Sequence, residues 1–88
     1  MKYFKVHNDS LRAEFSFKSF KQSLNFVVLV GELAEDENHH PDIDIRYTKV
    51  GVILSTHDRG NIVTEKDYSL AEKIENRFDE FLLSADFT

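Results

Sequence analysis

The seven residues EDENHHP at positions 35–41 decide how this 88-residue chain folds. They include its only proline, Pro41, and proline disfavours helical conformation at the residue before it. A helix that enters this stretch must therefore end near Asn38 or His39. A strand pattern follows at once, so the stretch separates two successive strand-strand-helix units.

N-terminal to this stretch, two short strands are predicted at residues 2–7 and 11–17. The intervening residues NDS at 8–10 favour a turn through local hydrogen bonds of their side chains. In the second segment apolar and polar side chains alternate, which is the period of a strand with one buried face. These features predict a β-hairpin.

The first helix is predicted to begin after Ser19, because Ser19 and Gln22 have the spacing of a capping box. Its interior contains β-branched residues and Gly31, which are weak helix formers, so the helix depends on tertiary packing. A helical period runs through Phe20, Leu24, Val27 and Val28.

The second half begins with alternating apolar and charged residues at 43–47, and a further strand pattern covers residues 50–57. A second hairpin is therefore predicted, with its turn at Thr48 and Lys49. His57 lies where the second of these strands ends. The opposite face of that strand carries Val50, Val52, Leu54 and Thr56.

The residues DRGN at 58–61 predict a turn before the second helix. Thr64 and Asp67 then have capping-box spacing, with Asp in place of the usual Glu or Gln. The face formed by residues 72, 73 and 75–77 is largely polar, and the helix is expected to fray near Ser84. Apolar residues at helical spacing are Leu70, Ala71, Ile74, Phe78, Phe81 and Leu82.

Two strand-strand-helix units in succession predict an α+β fold. It is a two-layer sandwich in which a four-stranded antiparallel sheet carries helices packed on one face. A chain of 88 residues supports one domain, residues 1–88. The core of so small a domain leaves little surplus stability, which assembly into an oligomer would increase.

Composition excludes several classes of protein. The chain has no cysteine, which excludes disulfides, a thiolate nucleophile and zinc held by thiolates. Its net charge of −5 and its scattered basic residues argue against nucleic-acid binding. No apolar run approaches the roughly 20 residues that cross a bilayer, and the N-terminus has no signal-peptide pattern. We expect a cytoplasmic protein with no membrane partner.

Three of the four histidines, His39, His40 and His57, are candidates for one site. The ordinary pKa of histidine lies nearest neutrality, which suits proton transfer. Two histidines before a proline are also typical of a polar loop after a helix. A third interpretation is a metal site, in which these histidines and a carboxylate bind zinc or iron. Adjacent histidines project in different directions, however, which disfavours shared ligation of one ion.

The spacing of seven residues resembles the pattern of the pterin-4a-carbinolamine dehydratases. Three residues separate Glu35 from the histidine pair, and five separate Pro41 from Tyr47. Nine residues separate Tyr47 from His57, and nine more separate His57 from Asp67. The similarity covers roughly residues 11–81. The pattern consists of Glu35, His39, His40, Pro41, Tyr47, His57 and Asp67.

The resemblance implies the same α+β fold and an activity, the removal of water from 4a-hydroxytetrahydrobiopterin to give the quinonoid dihydropterin. Pterin would be the substrate, with no cofactor and no metal. His39 and His57 would form the acid-base pair, and His40 would help to hold the pterin. Glu35 and Asp67 would orient or polarise the histidines. The sequence leaves open which histidine donates the proton.

The resemblance also implies a homodimer or homotetramer. Animal relatives bind a homeodomain transcription factor through helix surfaces, so a non-enzymatic interaction module, using the outward face of the second helix, is the alternative function. Longer members begin with an additional helix, which we expect this chain to lack. Some members have tryptophan where this chain has Ile43. The simplest alternative for Asp67 is helix capping alone, and for Tyr47 it is packing against the sheet.

Overall fold

The computed structural model describes residues 1–57 and 60–83. The two predicted strand-strand-helix units are present, which confirms the α+β sandwich. Asp58 and Arg59, which belong to the predicted turn, lie outside the described residues. So does Ser84, where the second helix is predicted to fray. The elements are β1 (Lys5–His7), β2 (Ser10–Ser16), α1 (Phe20–Glu37), β3 (Asp42–Arg46), β4 (Lys49–Leu54) and α2 (Glu65–Leu83).

The four strands form one antiparallel sheet in the order β1-β2-β4-β3. In the β3–β4 pair, Asp42 lies opposite Ile53 and Arg46 lies opposite Lys49. The residues just before β3 and just after β4 therefore lie at the same end of the sheet. This register brings the histidine pair and His57 to one edge of the fold.

Both helices cover the same face of the sheet, and their apolar residues complete the core. Phe15 of β2 contacts Phe26 of α1 and Phe78 of α2, with ring centroids 5.0 and 4.7 Å apart. Tilted and edge-on aromatic pairs of this kind add to the stability that area burial gives. The sheet residues that face the helices are Leu11, Phe15, Val50, Val52 and Leu54, all buried.

The predicted caps are present at the start of both helices. Ser19 Oγ accepts a hydrogen bond from the Gln22 amide at 3.2 Å. At α2, Asp67 Oδ2 accepts one from the Thr64 amide at 2.8 Å. These side chains supply partners to backbone groups that a helix leaves unpaired. Over the described residues, neither helix has the length and apolar character that a membrane span requires.

The buried face of α1 differs from the helical period that the sequence suggested. Phe20, Leu24 and Val28 are 46%, 43% and 61% exposed. Residues 26–30 are apolar without interruption, so hydrophobicity surrounds the helix and spacing alone cannot select one face. Contact with the sheet buries a different row of residues along α1. The buried residues of α1 are Gln22, Ser23, Phe26, Val30 and Ala34.

The N-terminal segment is shorter as a strand than predicted, since β1 begins only at Lys5. The preceding amides donate to the carboxylate of Glu75 on α2, from Lys2 at 3.3 Å, Tyr3 at 2.6 Å and Phe4 at 2.8 Å. Glu75 was predicted on the polar face but is buried. A buried carboxylate is stable here because backbone donors surround it.

Candidate active site

A cavity of about 330 Å³ opens at the edge of the sheet where α1 ends and α2 begins. All three histidines of the sequence pattern line it, from the chain before β3 and the chain after β4. An amide and a lysine side chain complete the wall. The lining residues are Asn38, His39, His40, His57 and Lys66.

The end of α1 positions the histidine pair. Asn38 has a left-handed backbone, with φ 50°, and its amide donates to the Glu35 carbonyl at 3.1 Å. The His39 amide donates to the Ala34 carbonyl at 3.0 Å. These two bonds form a Schellman motif, which stops the helix and turns the chain. Pro41 prevents the helix from continuing, so both imidazoles project beyond the end of α1.

His39 forms the buried half of the site. Its Nε2 lies 2.6 Å from Asp67 Oδ1, and the side chains are 11% and 0% exposed. Because a carboxylate oxygen can only accept, His39 donates its Nε2 proton. Asp67 therefore fixes both the orientation and the protonated nitrogen of this ring.

The second oxygen of Asp67 is also fully engaged. Oδ2 accepts from Thr56 Oγ1 at 2.8 Å and from the Thr64 amide at 2.8 Å. A carboxylate away from water is stable only with such donors around it. Asp67 thus caps α2 and binds His39, so the capping-only interpretation is incomplete.

His40 forms the exposed half of the site. Its Nε2 lies 2.5 Å from Glu35 Oε2, and the two side chains are 59% and 76% exposed. The two residues are joined across the end of α1, where the chain turns back. Water reaches both groups, so this pair orients the ring at the rim more than it stabilises the fold.

His57 approaches the cavity from the end of β4. Its Nδ1 lies 2.5 Å from Asn61 Oδ1, and an amide oxygen can only accept, so Nδ1 carries the proton. Asn61 has a left-handed backbone, with φ 58°, which asparagine tolerates better than most residues. That turn places its amide beside the imidazole.

Each histidine therefore has one ring nitrogen bound to an oxygen of its own supporting residue. In the neutral rings the other nitrogen is an acceptor: Nδ1 of His39, Nδ1 of His40 and Nε2 of His57. A protonated ring would instead donate through the same atom. Such a set can give a proton to one atom of a ligand and take a proton from another.

Glu37, the last residue of α1, joins the two helices beside the cavity. Its carboxylate accepts hydrogen bonds from Lys73 and from Ser69 on α2. These bonds, that of Lys73 first, lower the pKa of Glu37 below its ordinary value, and the same pair raises the pKa of Lys73. The ion pair holds the end of α1 against α2, which helps to set the spacing of His39 and Asp67.

Pro41 and Tyr47 lie apart from the histidine cavity. Pro41 lines a second cavity, of about 550 Å³, between α1 and β3, and His40 lies on both cavities. Tyr47 lies in the turn between β3 and β4, with φ 52° and 72% of its surface exposed. It neither packs against the sheet nor lines either cavity. The second cavity is lined by Val28, Gly31, Glu32, Ala34, Glu35, Asp36, His40, Pro41 and Ile43.

Besides Asn38, which lines the cavity, sequence reasoning missed three residues at the site. Thr56 binds Asp67, Asn61 binds His57, and Lys66 lines the cavity. Thr56 gave a usable signal, because it is a polar residue at a buried position of the strand pattern. Asn61 and Lys66 gave none, since a turn asparagine and an exposed helix lysine are common everywhere.

The metal interpretation finds no ligand set in residues 1–57 and 60–83. No three histidine, aspartate or glutamate side chains of this part of the chain come together as a possible metal-binding group. His39 and His40 are directed to different carboxylates, as expected for adjacent residues at a helix end.

Comparison with known proteins assigns the family. The model of the family described as pterin 4 alpha carbinolamine dehydratase matches residues 2–77. The chain belongs to the pterin 4 alpha carbinolamine dehydratase family. The match includes every residue of the seven-position pattern.

Relatives in this family are similar over most of their length. A protein of Thermomicrobium roseum named "Putative pterin-4-alpha-carbinolamine dehydratase" is 48% identical over 66 residues, covering 75% of this chain and 70% of the relative. A protein of the same name from Sulfolobus acidocaldarius is 45% identical over 67 residues, covering 76% and 72%. The names of both relatives thus associate this family with a dehydratase activity.

Solved structures show the same fold. The transcriptional coactivator/pterin dehydratase of Brucella melitensis superposes with a TM-score of 0.79 at 30% identity, covering 85% of this chain and 81% of that one. A pterin dehydratase-like protein described as a RuBisCO assembly factor in the alpha-carboxysome superposes with a TM-score of 0.66 at 23% identity, covering 83% of each chain. The second likeness is evidence of fold alone.

Proposed function

We propose that this protein is a 4a-hydroxytetrahydrobiopterin dehydratase, which eliminates water from its substrate to give the quinonoid dihydropterin. The observation that carries the proposal is the arrangement of His39, His40 and His57 around one cavity, each with one ring nitrogen that makes no hydrogen bond within residues 1–57 and 60–83. Family membership supports the same reaction.

The reaction balances without a cofactor. The bond between C4a of the pterin and its hydroxyl oxygen breaks, and that oxygen leaves as water after it takes one proton. A pterin nitrogen loses one proton as the double bond from C4a forms. No electron is gained or lost by the substrate, so the protein must supply only one acid and one base.

His39 and His57 are the proposed acid-base pair, with His40 holding the pterin at the rim. Asp67 and Asn61 each fix which nitrogen of their histidine is bound. The free atoms of the pair are thus Nδ1 of His39 and Nε2 of His57. Both rings line the same cavity, so a ligand bound there can contact both.

The test is dehydration of a chemically generated 4a-hydroxypterin, followed by stopped-flow absorbance. Wild-type protein should accelerate the reaction, and His57→Ala should lower kcat by about 10²–10⁴-fold, the usual effect of a positioned acid or base. His7→Ala is the matched control, because His7 is exposed on β1 and does not line the cavity. An inert wild-type protein, or an equal loss in His7→Ala, would contradict the proposal.

The same proposal has the protein acting in the cytoplasm as a homodimer or homotetramer. Its support is the exposed apolar row Phe20, Leu24 and Val28 on α1, since a single helix row can pair with its own copy about a twofold axis. Light scattering should give a multiple of the chain mass, and Leu24→Glu should lower it. A monomeric wild-type protein would contradict this part of the proposal.

A further inference from the structure

Thr56 lies at the junction of the two halves of the site. It is only 2% exposed and immediately precedes His57. Its Oγ1 lies 2.8 Å from Asp67 Oδ2 and 2.6 Å from Thr64 Oγ1. The Thr56 side chain therefore contacts the carboxylate that holds His39, while the next residue in the chain is the second histidine.

The hydrogen bonds of this cluster have one possible direction. An ionised Asp67 can only accept, so the Thr56 hydroxyl donates to Oδ2. The Thr64 hydroxyl then donates to Thr56 Oγ1. Thr64 Oγ1 in turn accepts a hydrogen bond from the Lys66 amide at 3.3 Å. Aligned bonds of this kind polarise one another and strengthen together. This series of hydrogen bonds ends at Asp67 Oδ2, and the other oxygen of Asp67 binds His39.

The buried polar atoms of this cluster are paired. Every buried side-chain nitrogen and oxygen of the described residues has a hydrogen bond. Removal of the Thr56 hydroxyl would leave Asp67 Oδ2 with one donor and the Thr64 hydroxyl without its acceptor. The carboxylate could then rotate, which would release the His39 ring.

The backbone of Thr56 supports the other histidine. The Thr56 amide donates to the Ile62 carbonyl at 2.8 Å, and the Asn61 amide donates to the Thr56 carbonyl at 3.1 Å. These bonds hold Asn61 where its side chain binds His57 Nδ1. Thr56 thus holds the supporting residues of both imidazoles. It holds Asp67 through its hydroxyl and Asn61 through its main chain.

We infer that Thr56 is a positioning residue, whose hydroxyl holds Asp67, and through it His39, in the geometry for proton transfer. The kinetic consequence rests on the proposed function, whereas the effect on the His39 ring does not. Because the backbone bonds of Thr56 survive a side-chain substitution, the inference predicts an effect on His39 with little change at His57.

Thr56→Val removes the hydroxyl at nearly constant shape, and Thr56→Ser keeps it. We expect Thr56→Val to lower kcat about tenfold with KM within about twofold, the size of effect that loss of a hydrogen bond to a charged group produces. Thr56→Ser should retain about half of the wild-type kcat or more. Thr48→Val is the control, because Thr48 lies in the turn between β3 and β4, at the end of the sheet opposite the cavity.

Nitrogen-15 NMR of the histidine rings gives a readout independent of activity. The His39 Nε2 proton should be protected from solvent exchange in wild-type protein and in Thr56→Ser, and lost from the spectrum in Thr56→Val. The His57 ring signals should stay in place in all three. Thr56→Ala, which also lacks the hydroxyl, replaces the valine variant if that variant fails to fold.

The two proposals fail separately. A wild-type protein without dehydratase activity would contradict the proposed function, while the NMR comparison would still decide the role of Thr56. An active wild type whose Thr56→Val variant keeps its kcat and its protected His39 proton would overturn the inference alone. A loss in Thr56→Ser as large as that in Thr56→Val would also overturn it, because the serine variant keeps the hydroxyl and lacks only the methyl group.

Discussion

His39 and His40 are neighbours in the chain, and each binds a carboxylate through Nε2, at 2.6 and 2.5 Å. Their surroundings differ. The His39–Asp67 pair is 11% and 0% exposed, whereas the His40–Glu35 pair is 59% and 76% exposed. Nearly equal distances therefore describe two different interactions. The buried pair depends on a network of donors and fixes geometry, and the exposed pair is solvated and screened by salt.

The largest effect should come from Asp67→Asn, which disrupts the buried His39–Asp67 pair. The amide keeps the shape but replaces one carboxylate oxygen with an NH2 group, which faces either His39 or the pair of donors from Thr56 and Thr64. We expect the free energy of unfolding to fall by about 3 kcal/mol, because the substitution removes a buried carboxylate that three donors hold and leaves at least one of them without its acceptor. Urea unfolding measures it.

The same variant should lose most of the proposed dehydratase activity, because the amide fixes the orientation of the His39 ring less firmly than the carboxylate does. A variant with wild-type stability and kcat would mean that burial does not distinguish the two pairs.

A smaller effect is expected from Glu35→Gln, the matched change in the exposed half. The free energy of unfolding should change by less than about 1 kcal/mol, because surface ion pairs add little stability. If His40 holds the pterin, KM should rise while kcat stays close to the wild-type value. A fall in stability as large as that of Asp67→Asn would remove the contrast between the pairs.

The smallest effect concerns Glu37, whose carboxylate is partly exposed and pairs with Lys73. Its pKa is lowered from the ordinary value of 4.5, first by the bonds from Lys73 and Ser69. The stability due to this pair should therefore be fully present above that ordinary value, and lost as the pH falls through the lowered pKa.

Thermal unfolding of wild-type protein and Glu37→Gln, scanned from neutral pH into the acid range, measures this contribution. The two stability curves should converge at low pH, and salt should narrow their difference near neutral pH. A difference that widens as the pH falls would show the opposite sign of linkage.

Much of the fold was predictable because its determinants are local. Ser19 and Gln22, Thr64 and Asp67, and Pro41 mark helix boundaries through bonds to nearby backbone. The alternation in β2 and β4 gave the buried face of each strand correctly. The buried face of α1 was not predictable, because apolar residues surround that helix and only the sheet selects a side.

The candidate site divides in the same way. The sequence by itself grouped His39, His40 and His57 with Glu35 and Asp67, because their spacing resembles the pattern of the family. It could not determine which pair is buried, because burial depends on residues that are distant from the histidine pair in the chain. The tertiary structure alone decided this: the antiparallel register brings the end of β4 beside the start of β3, and Thr56 and α2 then enclose one carboxylate and leave the other in water. A buried hydrogen-bond network depends on residues distant in the chain, so only packing can assemble it.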